Sequence, residues 1–149
     1  MNKLAILFIL LNLPGCSFFH SETKLSSEIN ASTHLNPDLN NRASPLLLSF
    51  YELKNSIPFK NLDFYKISHQ AHKSLGSSLI DSTPIEIRPG EKRHYTKKLN
   101  ADTQYLGIVA AYRHLEISKW KQLIKVPSYT RQMDLIIYLN AQQLQVKPN

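Results

Sequence analysis

Cysteine occurs once in this sequence, and glycine only four times. So few glycines leave no loop able to cradle a phosphate, and Gly76-Ser77-Ser78 lacks the G-x-S-x-G turn that exposes a nucleophilic serine. The eleven acids are scattered singly, without the paired carboxylates that glycoside hydrolysis needs. Six histidines are present, but only His69 and His72 share a helical spacing, and no Cys, Asp or Glu lies at a matching interval to complete a metal site. No Lys/Arg run with interleaved aromatics marks a nucleic-acid module, and there is no internal repeat. An enzyme, a metal or cofactor protein and a nucleic-acid binder are all disfavoured.

The one long apolar run is N-terminal. Lys3 supplies a positive charge, Leu4 to Leu11 is nearly all aliphatic, and Pro14-Gly15 breaks any helix just before Cys16. That is the layout of a secretory signal, and the run is too short to span a bilayer. Leu13-Pro14-Gly15-Cys16 resembles the lipobox of bacterial lipoproteins, with Pro14 a departure from the usual residue at its position. The resemblance implies removal of residues 1–15 and acylation of Cys16, with Ser17 in place of a retention aspartate pointing to the outer membrane, facing the periplasm. An ordinary exported protein with a stray thiol is the alternative, and it leaves the position of the cysteine unexplained.

Without residues 1–15 the chain is long enough for one domain. The whole sequence carries a net +7, and loss of Lys3 still leaves a basic chain suited to an acidic partner. Ser17 to Glu28 is polar and aperiodic, which predicts a tether over residues 16–28 that reaches at most roughly 40 Å, followed by a domain over 29–149. Phe18 and Phe19 stand where they could dip into the lipid interface.

The rest reads mainly as strands. Ile85 and Ile87 alternate with polar neighbours, as do Met133, Leu135, Ile137 and Leu139. Leu46 to Leu53 and Tyr105 to Tyr112 are apolar on both faces, as central strands covered on each side would be. Trp120 to Val126 alternates so as to place Lys119, Lys121 and Lys125 on an outward face, and His94 and His114 fall on strand candidates. A helix is expected with Asn61 as cap, Asp63 in the first turn and Leu62, Tyr65 and His69 on one face. A second helix is expected over Ala71 to Ile80, weakened by Gly76. His34 to Pro45 collects Asn, Asp, Ser and two prolines, and is a loop. Strands with one helical insertion predict a two-sheet β-sandwich.

"NPD" (36–38), "SPLLLSFYELK" (44–54), "LGSSLI" (75–80), "RPGE" (88–91) and "YLGIVAAYRHLEISKWK" (105–121), in this order behind a lipobox, resemble the TssJ family of type VI secretion lipoproteins. Lys121 stands where arginine is more usual in that family. The resemblance implies a mainly β, transthyretin-like two-sheet β-sandwich with a small helical insertion. It also implies anchoring of a trans-envelope complex through the periplasmic C-terminal domain of an inner-membrane TssM component, with no catalysis and no cofactor. The loop after the first strand takes part in that contact, which here designates His34, Leu35, Asn36, Pro37, Asp38, Leu39, Asn40, Asn41 and Arg42. Substituting Asn36 or Arg42 is then expected to weaken binding with little effect on folding. Arg113 is ambiguous, free to pair with Glu116 or with an acidic partner. A periplasm-facing lipoprotein that binds a small ligand or cell-wall glycan is the alternative function.

Overall fold

The computed structural model describes residues 22–149, so the signal segment and Cys16 lie outside the described residues. Eight strands form two four-stranded sheets. They are β1 (Lys24–Ala31), β2 (Leu46–Leu53), β3 (Leu79–Ile87), β4 (Lys92–Lys98), β5 (Tyr105–Ala110), β6 (Lys121–Lys125), β7 (Gln132–Leu139) and β8 (Leu144–Pro148). One sheet runs β4-β1-β7-β8, with β1 and β7 parallel, and the other runs β3-β2-β5-β6, antiparallel throughout.

The period-two alternation of each strand decides what lies between the sheets. Leu25 and Ile29 of β1 and Leu135 and Ile137 of β7 face Leu48 and Phe50 of β2 and Leu106 and Ile108 of β5. The opposite faces of β2 and β5 are covered too, by three short helices between β2 and β3: α1 (Ile57–Asn61), α2 (Phe64–His69) and α3 (Ala71–Leu75). Phe59, Ile67 and Leu75 from these helices pack on Tyr51, Leu53 and Val109, which is why β2 and β5 are apolar on both sides. Gly107 makes room for this layer, since a Cβ there would lie 2.6 Å from two carbons of the Phe59 ring.

Several expectations need correction. The tether does not extend to Glu28, because β1 begins at Lys24 and inserts between β4 and β7. Its inward row is Leu25, Ser27, Ile29 and Ala31, and a serine and an alanine in that row hide the alternation. The helix cap is Asp63, whose carboxylate accepts from the Lys66 amide at 2.9 Å. Asn61 instead ends α1, a helix started by Pro58 in its first turn. The buried residue of α2 is Ile67, while Tyr65 is exposed and stacks on His69. The second helix stops at Leu75, where Gly76 takes a positive φ of 53° and leads through a 3-10 turn (Gly76–Ser78) into β3.

Nor is Lys121 on a solvated face. Its ammonium donates to the carbonyls of Phe59, Lys60 and Leu62 at 3.2, 2.9 and 2.9 Å, and so holds the carbonyl end of α1. Burial lowers its pKa below the usual lysine value, against a smaller opposing pull from Asp63. Finally, β5 ends at Ala110, which leaves Arg113 and His114 in a loop.

Candidate partner-binding surface

The strand directions sort the loops into two ends. At one end lie the connections 32–45 after β1, 88–91 before β4, 111–120 after β5 and 140–143 after β7. Asn36 ties three of them together. Its side-chain oxygen accepts from the Arg113 amide at 2.8 Å, its side-chain nitrogen donates to the Pro45 carbonyl at 3.0 Å, and its backbone amide donates to the Ala141 carbonyl at 3.2 Å. The residue is buried and sits at a positive φ of 47°, a conformation that asparagine tolerates better than most residues.

The loop is therefore divided. Leu35 belongs to the core between the sheets, and Asn36 and Pro37 are buried. Asn36 thus acts on the fold itself, contrary to the expectation that replacing it would leave folding untouched. Leu39, Asn40, Asn41 and Arg42 form an exposed crest with His34 beside it, and Asp38 closes the crest from below. One oxygen of Asp38 accepts from the amides of Asn40 and Arg42, both at 2.9 Å, and the other takes the Arg42 guanidinium at 2.9 and 2.8 Å. Asn41 turns at a positive φ of 62°, with its side chain 3.0 Å from the His34 ring. The Arg42 amide, then its guanidinium, holds the Asp38 carboxyl below the usual aspartate pKa, so the crest keeps this form throughout the neutral range.

Arg113 and His114, 71 or more positions downstream of Arg42 in sequence, border a shallow depression of about 390 Å³ together with Asp38, Leu39 and Asn40. No ion pair joins Arg113 to Glu116 among the described residues. Leu39 and Ile117 expose 90% and 67% of their surface, and Leu47 at the start of β2 is also exposed. Three of the six large apolar side chains exposed in the described residues thus belong to this end. The polar composition of 34–45 predicted a loop there, which the structure has; the exposure of Ile117 and the adjacency of Arg113 to Leu39 required the fold. Among the described residues no group of three or more His, Cys, Asp or Glu side chains could hold a metal ion, and no helix is long and apolar enough to cross a membrane.

The family described as type VI secretion lipoprotein, VasD, EvfM, TssJ matches residues 23–147. The crystal structure of the lipoprotein TssJ1 from Pseudomonas aeruginosa superposes with a TM-score of 0.82 at 34% identity, over 86% of this chain and 97% of that one. Lip of Serratia marcescens, a membrane-bound component of the type VI secretion system, has a TM-score of 0.78 at 20% identity over 84% and 97%. A chain in a structure described as a type VI membrane complex gives 0.74 at 16% over 85% and 98%, and these last two speak to the fold alone. No curated protein sequence matches. With the family matched along nearly the whole described sandwich, the chain belongs to the type VI secretion lipoproteins of the TssJ family.

Proposed function

We propose that this lipoprotein is acylated at Cys16, resides in the outer membrane facing the periplasm, and anchors the trans-envelope secretion complex. It does so by holding the periplasmic C-terminal domain of a TssM-like inner-membrane protein. The observation that carries the binding reading is the crest at 38–42, whose backbone is tied by Asp38 without any partner present. A preformed loop loses less conformational freedom on association, and more of its contact energy is left to appear as affinity. The exposed Leu39 and Ile117, with Arg113, which makes no ion pair among the described residues, supply an apolar and cationic surface beside it. His34, Asn40, Asn41 and Arg42 are its other accessible members, while Leu35, Asn36 and Pro37 support it from beneath. Two acyl chains would give stable anchoring where one does not.

The test is binding of Ser17–Asn149 to the C-terminal domain of the TssM-like protein of the same organism, followed by biolayer interferometry at physiological salt. Saturable binding in the micromolar range or tighter is expected. A folded sample that fails to bind overturns the partner assignment. Secretion by cells carrying Cys16→Ser tests the anchor separately, with full secretion refuting it.

A further inference from the structure

The end of the sandwich opposite the crest has a distinct composition. Thr23 donates its hydroxyl to the Thr130 carbonyl at 2.8 Å, and the Lys24 amide donates to the Arg131 carbonyl at 2.9 Å. The chain thus enters β1 directly against the β6–β7 connection. At the tip of that connection Tyr129 is 97% exposed, the most exposed large apolar side chain described. Lys125 and Arg131 flank it, and no acid occurs between Glu116 and Asp134. Lys24, Lys125 and Arg131 have no carboxylate within ion-pair distance among the described residues, whereas Glu22 and Asp102 at this end are taken by Lys98 at 3.6 Å and Lys54 at 3.3 Å. Asp134 stands farther up β7, held by Gln132.

Resting on the acylation of Cys16 proposed above, we infer that the tip Val126–Arg131 lies on the bilayer, with Tyr129 in the headgroup region and Lys125, Arg131 and Lys24 over anionic lipid. Only six residue steps separate Cys16 from Glu22, a reach of at most about 22 Å. The tip adjoins the point where that tether joins the domain, so an anchored chain cannot carry it far from the surface. Tyrosine suits this position, with an apolar ring and a polar end that match the membrane interface. Each basic side chain near an anionic surface favours the docked state about fivefold. The surface holds the sandwich upright, with its opposite end and the 38–42 crest directed away from the membrane.

The test uses Ser17–Asn149, which contains both sheets and the whole core, joined chemically at its N-terminus to a dialkyl lipid. The anchor then does not depend on acylation in the cell. A fluorophore is placed at Ser128→Cys or, at the opposite end, at Asn40→Cys, on vesicles of phosphatidylethanolamine and phosphatidylglycerol containing a doxyl-labelled quencher lipid. Quenching several-fold stronger at position 128 than at 40 is expected. Replacing Lys125 and Arg131 by Ala should lower the ratio of docked to undocked chains by on the order of twentyfold, and Tyr129→Ser should lower it further. Equal quenching at the two positions overturns the inference. Mass analysis of the native chain extracted from membranes reads acylation independently, and absence of the acyl mass would refute the lipoprotein reading alone.

Discussion

Lys97 joins the two sheets, and its removal should be the most costly single change at a polar side chain. It projects from β4 of one sheet to β2 and β3 of the other, 2.6 Å from Glu52, 2.6 Å from Asp81 and 2.9 Å from the Thr83 hydroxyl. An ammonium has three hydrogens to donate, and each has an acceptor here. The other oxygen of Glu52 accepts from the Asn100 amide at 2.7 Å and the Thr103 hydroxyl at 2.8 Å. The Glu52 side chain is 2% exposed and that of Lys97 19%. Lys97→Ala therefore strands a buried carboxylate, at a cost of about 3–5 kcal/mol. At about 4 °C per kcal/mol for a domain of this size, the melting temperature should fall by about 12–20 °C.

Urea unfolding followed through Trp120, the single tryptophan, measures the loss as a lower midpoint at unchanged slope. Lys54→Ala is the control, since its pair with Asp102 is exposed and should contribute at most about 1 kcal/mol. Pairing Lys97→Met with Glu52→Gln should recover part of the loss, because no buried charge is then left alone. A Lys97→Ala variant within 1 kcal/mol of the parent, on the scale of that exposed pair, would refute the reasoning. The pH dependence has a definite sign. The Lys97 hydrogen bond holds Asp81 below its usual value of 3.8, so its contribution is present above that pH and is lost as pH falls through the depressed value. Desolvation opposes the Lys97 charge, but the hydrogen bonds that its ammonium donates to Asp81 and Glu52 outweigh it and raise the pKa above 10.5. That contribution is complete below pH 10.5 and is lost as pH rises through the raised value.

Gly107→Ala should cost about 1–3 kcal/mol by overpacking, because the new methyl meets the Phe59 ring at 2.6 Å; thermal melting measures it. Lys121→Met should cost about 1–3 kcal/mol through the carbonyls of Phe59, Lys60 and Leu62, in the last turn of α1 and its cap, left without their donor, with faster amide exchange in 57–62 and an undisturbed sheet. Asn36→Ala should destabilise by about 2–4 kcal/mol, since the Arg113 amide and Pro45 carbonyl lose their partners; urea unfolding reads this directly. Arg42→Ala should leave the urea midpoint little changed, its guanidinium being largely exposed, and weaken binding of the TssM-like domain about tenfold in interferometry.

Strands with strong apolar rows were readable before the fold was known. The bounds of β2 match the expected Leu46 to Leu53, and the inward row of β7 is the expected Met133, Leu135, Ile137 and Leu139. β1 escaped because two of its four inward positions are Ser27 and Ala31, and β8 because it is short and has only Leu144 and Val146 to signal it. Lys121 and Asn36 escaped for another reason. The carbonyls that Lys121 holds are about 60 positions away and the Arg113 amide that Asn36 holds is 77 away, and a lysine in a strand or an asparagine beside proline follows rules of local propensity that carry no trace of such distant carbonyls and amides. The polar composition of 34–45 correctly marked a loop, yet did not separate the buried Leu35-Asn36-Pro37 from the exposed crest.

The order of elements bears on anchoring in a way that neither end shows alone. The described chain enters β1 at Lys24, and the crest lies on the loop that leaves the same strand. Cys16 acylated as proposed and a partner held at the crest would therefore load β1 along its length. β1 is not an edge strand: it pairs with β4 from Lys24 to Asn30 and with β7 from Lys24 to Ala31. Ladder bonds lie across the strand axis, so a pull along that axis strains the bonds on both flanks together rather than opening them one at a time from an end. The core side chains Leu25 and Ile29 must move with them. A tether followed by an edge strand would lack the second row of bonds, which gives the central place of β1 a mechanical consequence under the proposed role of linking a membrane to a protein complex.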